Sequence, residues 1–172
     1  MDLFAVPDSE IILRLAIAVL LGVLVGAERS RVGKHAGMRT YALVSLGAAL
    51  FIVIAGVVGT AYKGIASLDP LRVASQVVVG IGFLGAGVIF VQRSLLTGLT
   101  TAAGLWVVAG IGTACGYGLY QIATFVTFLT LFIFEGLWYI EERFIRTAKN
   151  DLEDDEEIHS TRRPRQHHDH EG

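Results

Sequence analysis

The chain has 172 residues, 53% hydrophobic and 17% charged, with a formal net charge of −2 and a mean hydropathy of +0.58. The hydrophobic content and the mean hydropathy are both high for a soluble domain and favour a membrane protein, and the length suits one membrane domain with a short tail instead of two globular domains. Cys115 is the only cysteine, so an intrachain disulfide is excluded.

Five apolar segments are each predicted to be a transmembrane helix; in chain order they cover about residues 11–27, 41–62, 73–91, 101–115 and 119–140. The third, VASQVVVGIGFLGAGVIFV, carries no charge over 19 residues. At ~1.5 Å per residue, such a helix matches the thickness of a bilayer's hydrocarbon core. The fourth is short, and the alternatives there are a re-entrant segment or one broken helix shared with the fifth. We therefore expect an all-α fold, a polytopic transmembrane bundle of about five spans over residues 1–140.

The charge is concentrated after the last span. Residues 141–172 hold ten of the 16 acidic and six of the 14 basic residues, including the run DLEDDEE from Asp151 to Glu157. So few apolar side chains cannot offset the entropy of ordering, which predicts a disordered tail. The final HHDH, residues 167–170, has metal-binding side chains, but a flexible polar end is the preferred interpretation, and we expect no metal site.

The distribution of Lys and Arg predicts the orientation. The first loop carries four basic residues, Arg29, Arg31, Lys34 and Arg39, and the segment after the fifth span carries three more. Five spans place both on the cytoplasmic side, with the amino terminus outside. The residues before Arg14 are acidic, which is unlike a secretory signal, so the first span is predicted to be an uncleaved anchor. Arg14 is expected to extend outward to the headgroups.

Glycines are the most conspicuous feature of the spans. Gly80, Gly82 and Gly85 match the GxGxxG string of dinucleotide-binding folds, but inside an apolar span and without an acid between Asp69 and Glu135 the match indicates helix packing instead. A glycine face that exposes carbonyls to a water-filled path is the alternative. The predicted helix-packing residues are Gly22, Gly26, Gly80, Gly82, Gly85 and Gly87.

Polar residues at the span ends are the functional candidates. Glu28 ends the first span and Arg39 opens the second, so the two side chains are expected at the same depth and within reach of each other. Such a pair either fixes the hairpin or forms a recognition site for a partner or an ion. For the threonines that lead into the fourth span, capping of the helix start is the preferred interpretation. The full set is Glu28, Arg29, Arg39, Thr40, Arg72, Gln76, Thr100 and Thr101.

No catalytic set is visible within the spans, because they contain no Ser–His, Cys–His or paired-carboxylate arrangement. His35 is the only histidine before residue 159, and it lies in the first loop. We therefore predict a protein that is not an enzyme and that needs no cofactor.

Three ordered blocks carry a resemblance to a known family. They are GVLVGAER (22–29) with AGMRT (36–40), RVASQ (72–76) with GIGFLGAG (80–87), and GLTTAA (98–103) with Trp106. With these motifs the chain resembles the MgtC/SapB family of bacterial inner-membrane proteins over roughly residues 15–125.

The resemblance implies a non-enzymatic regulator or adaptor linked to growth in low magnesium and, in pathogens, to virulence. It implies action through membrane partners such as the F-type ATP synthase. Long family members carry an ACT-like soluble domain after the last span, and we expect a short form without it. Besides the lipid bilayer, a second copy of the chain is a candidate partner, and nucleic acid is not. The alternative function is a small transporter or channel for magnesium or another cation, whose sites favour carboxylate oxygens.

Overall fold

The computed structural model describes residues 7–34, 36–61, 69–92, 95–137 and 139–140. The elements are α1 (Asp8–Arg31), α2 (Met38–Ala61), α3 (Pro70–Val88), β1 (Phe90–Gln92), β2 (Leu95–Thr97), α4 (Leu99–Gly116), α5 (Tyr120–Phe132) and a π-helical turn (Ile133–Leu137). Within these residues five helices are long and apolar enough to cross a membrane, which confirms the predicted helical bundle of five spans. The predicted tail, residues 141–172, lies outside the described residues.

The chain divides into two compact units, Met1–Leu131 and Phe132–Gly172. The first contains α1 to α4, the strands and nearly all of α5. In the second, the described residues form the last residue of α5, the π-helical turn and residues 139–140. The packing that follows concerns the first unit.

Helices α1, α2 and α4 form the core, and glycines set their spacing. A Cβ built at Gly22 would lie 2.8 Å from the Tyr41 carbonyl oxygen, and one at Gly26 would lie 2.6 Å from the Met38 Cα. In lipid, where apolar burial drives helix association weakly, such backbone approach supplies the van der Waals contact. Gly22 and Gly26 therefore bring α1 directly against α2.

Two further glycines bring α4 against the same helix. A Cβ at Gly112 would lie 2.1 Å from the Ser45 carbonyl oxygen, and one at Gly116 would lie 2.7 Å from the Ile52 Cβ. Ser45 thus lies where all three helices meet, and its side chain is fully buried. These contacts leave α2 enclosed on one side by α1 and α4.

The third span ends at Val88, three residues before its predicted end, and the chain continues as a two-stranded antiparallel hairpin in which Phe90 pairs with Thr97. A short apolar run fits strand and helix equally well by composition, so hydropathy alone could not find this boundary. Gly98 follows the hairpin with φ +88, and a Cβ there would lie 2.1 Å from the Val88 carbonyl oxygen. Only glycine can adopt this positive φ without strain and also leave room for the Val88 carbonyl.

The last two spans are separate helices. Gly118, with φ +77, lies between α4 and α5 in a turn from Tyr117 to Leu119. The left-handed backbone that glycine adopts without strain lets the chain reverse there. The single broken helix considered as an alternative is therefore not formed.

The glycine contacts generate a stability prediction. Gly112→Ala forces α4 away from α2 and is expected to lower the free energy of unfolding by about 1–3 kcal/mol, the usual cost of overpacking. Gly110→Ala on the same helix is the control, because a Cβ there meets nothing within 4 Å. Thermal unfolding in detergent measures both variants, and equal midpoints would contradict the packing described for Gly112.

Ser45 generates a second prediction, because its buried hydroxyl has no hydrogen-bond partner among the described residues. An unsatisfied buried hydroxyl costs about 1–3 kcal/mol, so Ser45→Ala should leave stability unchanged or raise it by about 1 kcal/mol. Thr127 is the comparison, since its buried hydroxyl donates to the Ala123 carbonyl oxygen at 2.8 Å. Thr127→Val should lower stability by about 1 kcal/mol in the same unfolding assay. A loss for Ser45→Ala equal to that for Thr127→Val would contradict this account.

Candidate functional site at the Glu28 end of the bundle

The antiparallel helices give the first unit two ends. The Glu28 end contains the end of α1, the start of α2, the β1–β2 hairpin and the start of α4. The Glu10 end contains the start of α1, the start of α3, the end of α4 and the start of α5. The Glu28 end holds a buried polar cluster, and the Glu10 end holds a partly buried one.

At the Glu28 end, two neighbouring residues form a buried ion pair. Arg29 Nη2 donates to Glu28 Oε1 at 2.5 Å, and Arg29 Nε donates to Glu28 Oε2. The side chain of Arg29 is 4% exposed and that of Glu28 is 7% exposed. A bidentate guanidinium–carboxylate pair satisfies both charges, which is the condition under which ionised groups persist in a low-dielectric site. Arg29 also lies in the last turn of α1, where the helix dipole favours a cation.

Hydrogen bonds around this pair join the three core helices. The buried Tyr41 hydroxyl on α2 donates to the Thr101 carbonyl oxygen on α4 at 3.3 Å. The Met38 backbone N–H donates to Ser30 Oγ at 3.1 Å, which ties the start of α2 to the end of α1. The pair therefore lies where hydrogen bonds hold α1, α2 and α4 together, and not in a flexible loop.

The predicted pairing of Glu28 with Arg39 is wrong, since Glu28 pairs with Arg29 and Arg39 is exposed. The reason is the rotation of α2. Tyr41 faces the core, and at 100° per residue Arg39, two positions earlier, lies on nearly the opposite side of the helix. Hydropathy could not reveal this rotation, because α2 is apolar on every face.

The other predicted polar candidates are distributed over both ends. Thr101 is buried beside Tyr41, whereas Thr40 and Thr100 are exposed at the Glu28 end. The residue that caps α4 is Gly98, so neither threonine occupies that position. Arg72 and Gln76 are exposed on the first two turns of α3, at the other end of the unit. The structure therefore does not bring the eight candidates into one site.

The glycines of α3 differ from those of α1. Gly85 makes only an ordinary contact, 3.7 Å from a built Cβ to the Ala102 Cβ. A Cβ at Gly80, Gly82 or Gly87 meets nothing within 4 Å. Of the four glycines predicted to pack this span against other helices, only Gly85 therefore contacts another helix among the described residues.

The cluster at the Glu10 end was missed by sequence reasoning. Arg14, expected to extend to the headgroups, is 5% exposed, and its Nη1 donates to the Gly116 carbonyl oxygen at 2.9 Å. Glu10 Oε1 accepts from Arg14 Nε at 3.3 Å and from the Tyr120 hydroxyl at 2.6 Å. A cation is favourable at the end of α4, where carbonyls point outward. The i,i+4 spacing of Glu10 and Arg14 was the available signal.

Tyr117 lies just outside the spans, in the turn between α4 and α5. Burial raises the pKa of its hydroxyl, and the nearby negative charge of Asp69 raises the pKa further. Tyr117 therefore stays neutral throughout the physiological pH range.

The described residues contain no group of three His, Cys, Asp or Glu side chains that could hold a metal ion. Two carboxylates of the first unit, Glu10 and Glu28, are both engaged by arginines. The two ion pairs therefore keep their charged side chains in fixed positions within the helical bundle.

Comparison with known proteins identifies the family. The model of the MgtC family matches residues 15–143. The chain belongs to the MgtC family. Its helical bundle, its buried Glu28–Arg29 pair and the exposed glycines of α3 are therefore features of an MgtC-family membrane protein.

Three relatives illustrate the match. The chain is 42% identical to "Putative magnesium transporter YhiD" of Escherichia coli K12, over 74% of this chain and 60% of that protein. It is 39% identical to protein SrpB of Synechococcus elongatus, over 72% of each chain. It is 47% identical to protein MgtC of Salmonella typhimurium LT2, over 70% of this chain and 49% of that protein. The match thus spans between half and three quarters of these relatives. No solved structure matches the chain.

The ion pair generates a prediction for this site. Glu28→Ala leaves Arg29 buried without its carboxylate and is expected to cost about 3–5 kcal/mol of stability. The double variant Glu28→Leu/Arg29→Met should cost clearly less, because it removes the buried guanidinium together with the carboxylate that pairs with it. A double-mutant cycle, in which the unfolding of each variant is followed in detergent, measures the coupling energy between residues 28 and 29. If the effects of the two sites are simply additive, the pair does not stabilise the fold as described.

Proposed function

We propose that the protein is a membrane regulator or adaptor that supports adaptation to low magnesium by contacting a partner in the bacterial inner membrane. It is proposed to act without catalysis, through its helix faces. The observation that carries the proposal is the uncovered face of α3. The family membership supplies the physiological context.

Helix α3 is the least covered span. Only 6% of its membrane-spanning residues are buried inside the molecule, compared with 50% of those of α4. Val79 is 70% exposed and Phe83 is 80% exposed, and the neighbouring glycines Gly80 and Gly82 leave open space beside them. Small residues next to a large aromatic provide the surface complementarity on which helix association in lipid depends. This face supports a role in contacting another membrane protein.

Apart from the Ser45 hydroxyl, the buried charged and hydroxyl groups described below are engaged within the protein, which supports an adaptor over a pore. Glu28 and Arg29 neutralise each other, as do Glu10 and Arg14. Thr127 and Thr130 donate to carbonyls of their own helix. Groups satisfied in this way hold helices together and are not available to replace the waters of a passing cation.

The proposed orientation puts the Glu28 end in the cytoplasm, because the exposed basic residues of the first loop lie there and Lys and Arg accumulate on that side. The amino terminus is then outside and the residues after α5 are cytoplasmic. A membrane protein such as the ATP synthase, or a second copy of the chain, is proposed to cover α3.

The second candidate function is magnesium transport, which the name of the relative "Putative magnesium transporter YhiD" favours. In that case Glu28 would have to leave Arg29 to act as a ligand at the Glu28 end. The two functions differ in whether the purified protein alone moves magnesium.

The adaptor proposal is tested at Phe83. In a bacterium that depends on this protein for growth in low magnesium, Phe83→Ala should abolish most of the growth advantage without loss of inserted protein. Phe128→Ala on α5 is the matched control, since Phe128 is also largely exposed, at 63%, and it should leave growth unchanged. Equal growth of both variants and the parent would contradict a role for the α3 face.

Magnesium flux into proteoliposomes tests the two functions against each other. The folded protein should give no flux above empty liposomes, because the described carboxylates of the core are engaged by arginines. Saturable flux that collapses in Glu28→Gln would make the protein a transporter and overturn the adaptor proposal.

A further inference from the structure

A groove of about 690 Å³ runs between α2 and α3. Its walls are apolar, with α4 at the floor. The residues that define it are Thr40, Leu43 and Gly47 on α2, and Gln76, Gly80 and Leu84 on α3. Because neighbouring helices run antiparallel, Thr40 and Leu84 mark its Glu28 end, and Gln76 lies towards the Glu10 end.

The dimensions of the groove suit a lipid chain. From Thr40 to Phe51, which also lines it, a helix rises about 16 Å at 1.5 Å per residue. That is about half of the hydrocarbon thickness of a bilayer, the depth of one leaflet. Gly47 and Gly80 widen the groove on opposite walls, since a Cβ at either position meets nothing within 4 Å.

Charge distinguishes the two mouths of the groove. At the Glu28 end, Arg39 is exposed one residue before Thr40 and one helical turn before Leu43. The sequence has no acidic residue between Glu28 and Asp69, and Glu28 is buried against Arg29. At the other mouth, Asp69 lies three residues from Arg72, so the positive charge there has an acid nearby. Among the residues that the structure describes, only the Glu28 end combines an exposed cation that has no acidic residue nearby with the groove.

We propose that the α2–α3 groove is a binding site for an anionic phospholipid, with an acyl chain between Gly47 and Gly80 and the headgroup phosphate at Arg39 and Thr40. The guanidinium supplies charge-assisted hydrogen bonds to phosphate oxygens, and the threonine hydroxyl supplies one more donor. The site selects by headgroup charge, since any phospholipid offers an acyl chain. It goes beyond the proposed adaptor function and does not require it.

The test is lipid binding to the purified full chain in detergent, followed by native mass spectrometry. Phosphatidylglycerol and phosphatidylcholine with identical acyl chains are titrated separately. One basic side chain near an anionic surface corresponds to about a five-fold preference. The parent protein is therefore expected to bind phosphatidylglycerol at least about five-fold more tightly than phosphatidylcholine, and the preference should shrink in high salt.

Two matched pairs of variants locate the site. Arg39→Gln should reduce the preference to nearly one-fold, whereas Lys34→Gln, which removes another exposed positive charge between α1 and the start of α2, should keep it. Gly80→Leu fills the groove and should weaken binding of both lipids. Gly82→Leu, at a position equally open but outside the groove, should not. Gly47→Leu blocks the groove from the opposite wall and gives a second measurement if Gly80→Leu fails to fold.

Three results would overturn the proposal. One is an equal loss of preference in Arg39→Gln and Lys34→Gln, which indicates diffuse attraction to the loop. Another is equal lipid binding by the Gly80→Leu and Gly82→Leu proteins. The third is a change in oligomeric mass without a change in lipid binding, which assigns the groove to a second copy of the chain. None of these depends on growth in low magnesium, so failure here is distinguishable from failure of the adaptor function.

Discussion

Direct backbone contact between α2 and its neighbours is the constraint on which this structure depends. Gly22 and Gly26 let α1 approach α2, and Gly112 and Gly116 let α4 approach it, so closely that a methyl group at any of these positions would clash. Lipid provides little apolar driving force for helix association, so the bundle relies on contacts that only close approach allows. The rotation of α2 and the depth of its buried side chains follow from these four positions.

That close approach in turn shapes both polar clusters. With α1 and α4 held against α2, Tyr41 reaches the Thr101 carbonyl at one end, and Arg14 reaches the Gly116 carbonyl at the other. Each cluster combines an arginine near a helix end with a glutamate, so the dipole and the carboxylate both favour the cation. The ends of the core are thus fixed by electrostatics, and its middle by packing.

Helix α3 follows a different rule. Three of its four glycines make no contact with the core helices, many of its large side chains are exposed, and a groove separates it from α2. A helix so little covered by its own chain is the part of the molecule most available to lipid or to another protein. The proposed adaptor function and the proposed phospholipid site both rest on this difference between α3 and the three packed helices.

The sequence alone determined the number of spans and the membrane environment, because hydrophobic length is a property of composition. It also marked Glu28, Arg29, Gly22 and Gly26 as significant, since charges and small residues at membrane depth are costly without a purpose. Only the tertiary structure decided that Glu28 pairs with Arg29 instead of Arg39, that Arg14 turns inward, and that most glycines of α3 make no contact with the core helices. Each of these depends on the rotation of a helix about its own axis. In spans that are apolar on every side, no periodic pattern in the sequence encodes that rotation, and it is fixed only when the helices pack.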